Sequence, residues 1–273
     1  MSRTYSLAHL TVLGAHPVEL VEIAGAAGYD AVGIRIQPSL PSGTIVPVVG
    51  EAATCLAIRQ RLKDTGVRLL DIEAFWINEG SDLAVFRAGY QVGAELGARF
   101  ALIAGNDPDR GRLVERFAET CADARTAGLT PVLEFVTYSQ IRTLAEAFEV
   151  IRTAGATGVG ILVDALHLKR SGGSPADLAG YSSELFPYMH LCDAADAAPP
   201  PEGLRPEAFN GRFYPGEGEL PVEEFIKAFP RSAAVAIEAP SARYAALSLV
   251  EQARLALSSA KRIVEIVDRR SSR

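Results

Sequence analysis

The sequence is poor in the residues that most often betray a special environment. It has only three cysteines, Cys55, Cys121 and Cys192, far apart and without a C-x-x-C pair. An odd number of scattered cysteines argues against a disulfide framework, and free thiols in a reducing cytosol are the simplest reading. No cluster of Lys and Arg runs along any segment, and the net charge is −6, which disfavours a nucleic-acid partner. No long apolar run follows Met1 or occurs further on, so neither a signal peptide nor a membrane-spanning segment is expected, and the predicted location is cytoplasmic.

What the chain does have is apolar material and alternation. Its 273 residues are 48% hydrophobic, enough for one large core. Short β-branched runs at 5–10, 31–36, 67–74, 100–104, 131–135, 159–163, 188–192 and 234–239 alternate with stretches of helical periodicity. Helix signals fall between them. His16-Pro17 opens the first helix and Gly28 closes it, and Ser81-Asp82 and Gly97 bound the third. Asp107-Pro108 is expected to open the fourth helix, ending at Gly128, and Ser139 the fifth, ending at Gly155. The last helix is predicted over 242–267, with the chain fraying at 269–273. Gly28, Gly66 and Gly128 each stand where a helix must turn back to the next strand.

The repeat is roughly 30 residues, the size of one βα pair, and eight of them need about 250 residues. The predicted fold is therefore α/β, a (β/α)₈ TIM barrel forming a single domain over 1–273. An open doubly wound sheet is the alternative, disfavoured because the first βα turn has no Gly-rich phosphate fingerprint. One stretch breaks the rhythm. Residues 194–220, with Pro199-Pro200-Pro201 and Gly211, Gly216 and Gly218, read as a long loop after the seventh strand, placed to act as a lid on the C-terminal face.

In such a barrel, polar residues at the C-terminal strand ends face the active site. Strands one to four contribute His9, Arg35, Glu73 followed by Trp76, and Asn106-Asp107. Strands five to eight end in Glu134, Asp164, His190 and Glu238, each set in apolar sequence. A lone strand-end Glu or His is more often a salt bridge or a satisfied structural residue. Four in succession are harder to attribute to that, because unpaired buried carboxylates are costly. One divalent cation satisfies all four, and the oxygen-rich set favours Mn²⁺ or Mg²⁺, with Co²⁺ or Zn²⁺ as alternatives.

Val132-Leu133-Glu134, Asp164-Ala165-Leu166-His167, His190-Leu191-Cys192-Asp193, Arg212 with Pro215-Gly216-Glu217-Gly218, and Ile237-Glu238 follow one another along the chain. This series resembles the xylose isomerase-like TIM-barrel superfamily, in particular its sugar phosphate isomerase/epimerase family. The resemblance spans most of the chain; the Asp-x-x-His pair and the Pro-Gly-Glu-Gly loop are its more specific parts. It implies that Glu134, Asp164, His190 and Glu238 bind one divalent metal, and that Glu134 and Glu238 are also the catalytic acid/base pair. One removes a proton beside the substrate carbonyl, the other returns a proton on the opposite face, and the metal stabilises the enediolate. It further implies that His167 and Arg212 contact substrate oxygens, or, for Arg212, a metal-linked carboxylate. The family often has Arg shortly after the seventh-strand His; here that region reads Asp193-Ala194-Ala195-Asp196, so Arg212 must reach in from the loop.

Other residues carry two readings each. His9 is a substrate contact or a structural His. Glu73 is a substrate ligand or supporting acid, or else the partner of Arg35. Trp76 walls the pocket against a sugar face or simply packs. His16 is a helix-start residue. Asp193 is expected to orient His167 or Arg212, and Cys192 to be core.

The expected function is an isomerase or epimerase of carbohydrate metabolism, acting on a sugar, sugar acid or keto-cyclitol. The alternative is a lyase of the dehydroshikimate or inosose dehydratase type, which begins with the same proton abstraction. A nuclease like endonuclease IV needs a His-rich trinuclear zinc site, and this acidic chain has only four His. A binding-only barrel has no need of paired glutamates around a metal. The expected partners are a small-molecule polyol, without a phosphate loop to mark a phosphorylated one, and another copy of the chain as a dimer or tetramer.

Overall fold

Parallel strands in a barrel are covered on both faces, so they read as nearly unbroken apolar runs. The computed structural model, which describes residues 3–37 and 45–271, contains eight of them. They are β1 Tyr5–Ala8, β2 Ala31–Arg35, β3 Arg68–Ile77, β4 Phe100–Gly105, β5 Thr130–Glu134, β6 Gly160–Asp164, β7 Tyr188–Leu191 and β8 Ala234–Ile237. They stand in sequence order, and β1 also pairs with β8, Tyr5 opposite Val235, which closes the sheet. The fold is a TIM barrel, not an open sheet.

The helices are α1 Pro17–Ala27, α2 Ala52–Thr65, α3 Leu83–Leu96, α4 Arg110–Thr126, α5 Leu144–Thr153, α6 Ala165–Arg170, α7 Leu204–Asn210, α8 Val222–Lys227 and α9 Leu249–Ser271. Among the described residues, no helix is long and apolar enough to cross a membrane. His16 caps α1 as expected: its ring nitrogen Nδ1 accepts from the Val18 N–H, and Glu19 reaches back to the His16 backbone. Gly28 ends α1 at φ 91°, a left-handed conformation that costs glycine little.

Three helix starts differ from expectation, each because a nearer polar side chain makes the cap. Asp109, not Asp107, caps α4 by accepting from the Arg112 N–H, while Asp107 grips the Arg112 guanidinium through both oxygens at 2.6 Å. Thr143 caps α5, and Ser139 instead closes a tight turn onto Ile141. The last helix starts at Leu249, where Ser248 and Glu251 bond reciprocally; Ala242–Tyr244 is a separate 3₁₀ turn. It also runs on through Arg269 and Arg270, which pair with Glu265 and Glu223, so the expected fraying does not begin there.

Apolar side chains fill two layers. One lies between the barrel and its helices, and the other fills the lumen with Leu70, Phe100, Leu102, Val132, Leu162 and Tyr188. The lumen packing forms the floor beneath the site. The β2–β3 register shifts between Val32 and Gly33, and the β3–β4 register between Ile72 and Phe75. These irregularities bend β3 where its acidic residues lie.

Candidate metal centre and active site

Closing the parallel sheet brings the ends of non-neighbouring strands together. Glu134 is the last residue of β5 and Asp164 the last of β6; His190 sits in β7 opposite Asp164, and Glu238 directly follows β8. All four are buried, and their ligating atoms lie within 4.8 Å of one another. His190 Nδ1 is 3.4 Å from Glu238 Oε2, 3.6 Å from Glu134 Oε1 and 4.0 Å from Asp164 Oδ2.

Neither ring nitrogen of His190 has a hydrogen-bond partner, although both are buried. An orphaned imidazole ringed by three carboxylates is unusual, since buried polar groups are nearly always satisfied. Three hard oxygen donors and one imidazole fit a divalent cation, which relieves carboxylate repulsion and the orphaned nitrogen together. The local charges already differ. Burial pushes Glu134 up, beyond what His190 beside it offsets. Burial pushes Glu238 the same way, but the positive charges of His190 and Arg212 outweigh it and hold Glu238 well below the usual carboxylate range. His190, against the pull of burial, is driven well up by Glu238 and Glu134.

Arg212 enters this cluster from the segment after β7. Its guanidinium bonds to Asp164 Oδ2 through Nη1, and it reaches Glu238 Oε2 at 3.0 Å and the Glu238 carbonyl at 3.0 Å. Nε donates to the Ala208 carbonyl at 2.9 Å, so the side chain is held at both ends. Of the two roles anticipated for Arg212, the geometry places it on metal-candidate carboxylates. Cys192 is fully buried as anticipated, but Arg212 lies 3.4 Å from its sulfur, a neighbour invisible in sequence.

Above the cluster is a small pocket of about 20 Å³ lined by Arg35, Trp76, Tyr138, His167 and Phe209 together with Glu134 and Glu238. Trp76 and Tyr138 stand nearly parallel, with ring centroids 6.5 Å apart, and both line the pocket. His167 follows Asp164 on α6, where the Asp164 side chain accepts from the His167 N–H at 2.9 Å; its Nδ1 lies 3.3 Å from Thr137 Oγ1. Burial lowers its pKa to about 4, so the ring is neutral at pH 7. Glu73 pairs with Arg35 at 3.2 Å, one of its two anticipated readings, and also lines the pocket.

A family model, the xylose isomerase-like TIM barrel, matches residues 21–262. The chain belongs to that family. A curated relative, the inosose isomerase of Halalkalibacterium halodurans, is 24% identical over 146 residues, or 52% of this chain and 50% of that protein. The match thus spans about half of that relative. Among solved structures, a xylose isomerase-like TIM barrel/4-hydroxyphenylpyruvate dioxygenase fusion protein is similar with a TM-score of 0.82 at 19% identity, over 99% of this chain and 44% of that one. The IOLI protein with a bound zinc atom has a TM-score of 0.79 at 17% identity, over 97% of this chain and 99% of that one. At these identities the structural likenesses speak for the fold.

This xylose isomerase-like barrel narrows one open reading and departs from the sequence reading at two places. His9, anticipated as a substrate contact or a structural residue, is the latter: Nε2 donates to the Ala15 carbonyl at 3.0 Å and Nδ1 accepts from the Arg35 N–H at 3.2 Å, leaving no ring nitrogen for a substrate. Asp193 orients neither His167 nor Arg212. Its carboxylate accepts the Ala194, Gly216 and Leu220 N–H groups, each at 2.9 Å, and so ties both ends of the 194–220 segment. That segment is not structureless. It carries α7, bridges Phe213 to Asp193, and is pinned by Arg170 on Glu207 and the Ala195 carbonyl. The Gly218 spacing now has a cause: a Cβ there would lie 2.4 Å from the Ala194 carbonyl oxygen and 2.5 Å from Asp193.

Tyr138, Phe209 and Asp71 were missed. Tyr138 was legible as an aromatic four residues past Glu134, and Asp71 as an acid inside the apolar run Leu69-Leu70-Asp71-Ile72. Phe209 carried no signal, because only α7 delivers it.

Proposed function

We propose that this chain is a divalent-metal-dependent isomerase or epimerase that moves a proton next to the carbonyl of an unphosphorylated sugar, sugar acid or keto-cyclitol. The observation that carries this reading is the pair Glu134 and Glu238 flanking the orphaned His190, beneath a pocket with an aromatic wall. Glu134, Asp164, His190 and Glu238 would hold the cation, Mn²⁺ or Mg²⁺ by donor chemistry; zinc in the IOLI structure supports a cation of this charge. When bound, it supplies positive charge beside the carbonyl oxygen, where negative charge develops as the neighbouring proton leaves.

The chain's own residues supply the rest. Arg212 pairs with Glu238 and keeps it ionised, as a metal ligand must be. Glu134 and Glu238 lie on either side of His190, so one can take the proton beside the carbonyl and the other return a proton on the opposite face. Neutral His167 offers its Nε2 to a substrate hydroxyl, while Thr137 and Asp164 hold the residue in place. Trp76 and Tyr138 offer a flat face to the apolar side of a ring. The inosose isomerase relative supports a keto-cyclitol within this substrate class.

The test is proton NMR in D₂O with Mn²⁺-loaded enzyme and a panel of ketoses, sugar acids, inososes and dehydroshikimate, with products weighed by mass spectrometry. Deuterium incorporated beside the carbonyl without mass loss is the expected result. New vinyl signals with loss of one water would make the enzyme a dehydratase instead. No exchange with any member of the panel would refute the substrate class.

A further inference from the structure

One cluster under the active site has no part in the chemistry above. Asp71 and Glu73 both come from the bent part of β3, and both are buried to about 1% exposure. They converge on one patch of bare backbone: a Cβ at Gly33 would fall 2.6 Å from Glu73 Oε1 and 2.7 Å from Asp71 Oδ1. The close approach of two acids is thus bought with a glycine. Glu73 Oε2 receives Arg35, and Asp71 Oδ2 faces the Tyr188 hydroxyl at 3.5 Å, but Glu73 Oε1 has no partner at all. His190 brings a ring nitrogen within 4.8 Å of both carboxylates. It is also the residue whose two ring nitrogens are both orphaned.

Nδ1 faces Glu134 and Glu238, which leaves Nε2 as the nitrogen for the Asp71–Glu73 side. We propose that Asp71 and Glu73 form a carboxylate seat that accepts the Nε2–H of His190, fixing the ring's tautomer and aiming Nδ1 into the metal centre. The two acids are positioning residues acting through His190. A hydrogen bond to the far nitrogen of a ligating imidazole sets its orientation and raises its basicity, and losing such a partner typically weakens metal binding about 10- to 100-fold. The pairing also gives the orphaned Glu73 oxygen a donor, consistent with the general rule that buried acceptors are satisfied. This inference rests on the metal-centre reading above and adds to it which nitrogen ligates and what holds it.

The experiment uses zinc as probe and the whole chain. Zinc affinity and stoichiometry are measured by calorimetry for the wild type, for Asp71→Ala/Glu73→Ala and for the shape-conserving Asp71→Asn/Glu73→Gln. The ring nitrogens of His190 are observed by ¹⁵N NMR in the zinc-loaded wild type. The expected result is one zinc per chain, a proton on Nε2, affinity about 10- to 100-fold weaker in the double alanine variant, and a smaller loss with the amides, whose carbonyl oxygens still accept. An unprotonated Nε2 in the zinc-loaded wild type overturns the proposal, even if the alanine variant fails to fold. So does unchanged affinity in the alanine variant, or a second zinc lost on removing the two acids, which would make them ligands themselves. A wild type that binds no zinc, Mn²⁺ or Mg²⁺ would bring down the metal centre and this seat together, and is told apart from the other failures by that blank.

Discussion

Asp193→Ala tests how the segment after β7 is held. In the wild type one buried carboxylate accepts three backbone N–H groups, two of them in buried bonds and the Gly216 bond partly buried. Alanine leaves all three donors without their acceptor. An unsatisfied buried donor costs about 1–3 kcal/mol, so the three together cost on the order of 3–9 kcal/mol. That is a large part of the roughly 5–15 kcal/mol that stabilises a typical domain. The loss need not appear as global unfolding, because the 194–220 segment can detach first. The assay is therefore urea denaturation together with hydrogen exchange at Gly216 and Leu220. Expected are a lower denaturation midpoint, fast exchange at both amides, and loss of activity, since Arg212 is carried on the same segment. Asp193→Asn with its amide oxygen at the Oδ1 position still accepts from Ala194 and Leu220 and turns its NH₂ only toward Gly216, so a smaller loss is expected. Stability within ~1 kcal/mol of wild type, with both amides still protected, would refute the reasoning.

Four further outcomes follow from the same structure. Glu134→Gln and Glu238→Gln each remove an acid or base, and turnover should fall by about 10²-fold or more in steady-state kinetics; near-wild-type turnover in either would sink the two-glutamate mechanism. Saturating Mn²⁺ at about 100 times its Kd should add about 2.7 kcal/mol to the folded state, read as a rise in Tm that chelation reverses. Burial chiefly, with the Arg35 charge, depresses the His9 pKa to about 4. The unfolded chain therefore takes up a proton near pH 6.5 that the folded chain refuses, so the stability His9 contributes is complete above about pH 6.5 and is lost as pH falls toward 4. The loss is on the order of 2–4 kcal/mol, and His9→Gln should flatten that share of the profile in denaturation measured across this range. Gly218→Ala should cost about 1–3 kcal/mol, because its Cβ meets backbone as well as the Asp193 side chain; an unchanged denaturation midpoint would show that the segment adjusts without cost.

Local chemistry was enough to read the barrel and its metal-candidate quartet. Strand runs, helix caps and strand-end residues are encoded within a few residues, and the closed parallel topology converts strand order into proximity, so Glu134, Asp164, His190 and Glu238 group together from sequence alone. What the sequence could not decide were contacts between groups far apart in the chain. His9 is structural because residues 15 and 35 claim its two nitrogens. Asp193 is a clasp because Gly216 and Leu220 fold back onto it. Phe209 reaches the pocket only through α7, and Asp71 meets Glu73 only because β3 bends against the bare backbone of Gly33. Hydrogen bonds and ion pairs depend on separations of a few ångströms, and only the packed tertiary structure sets those.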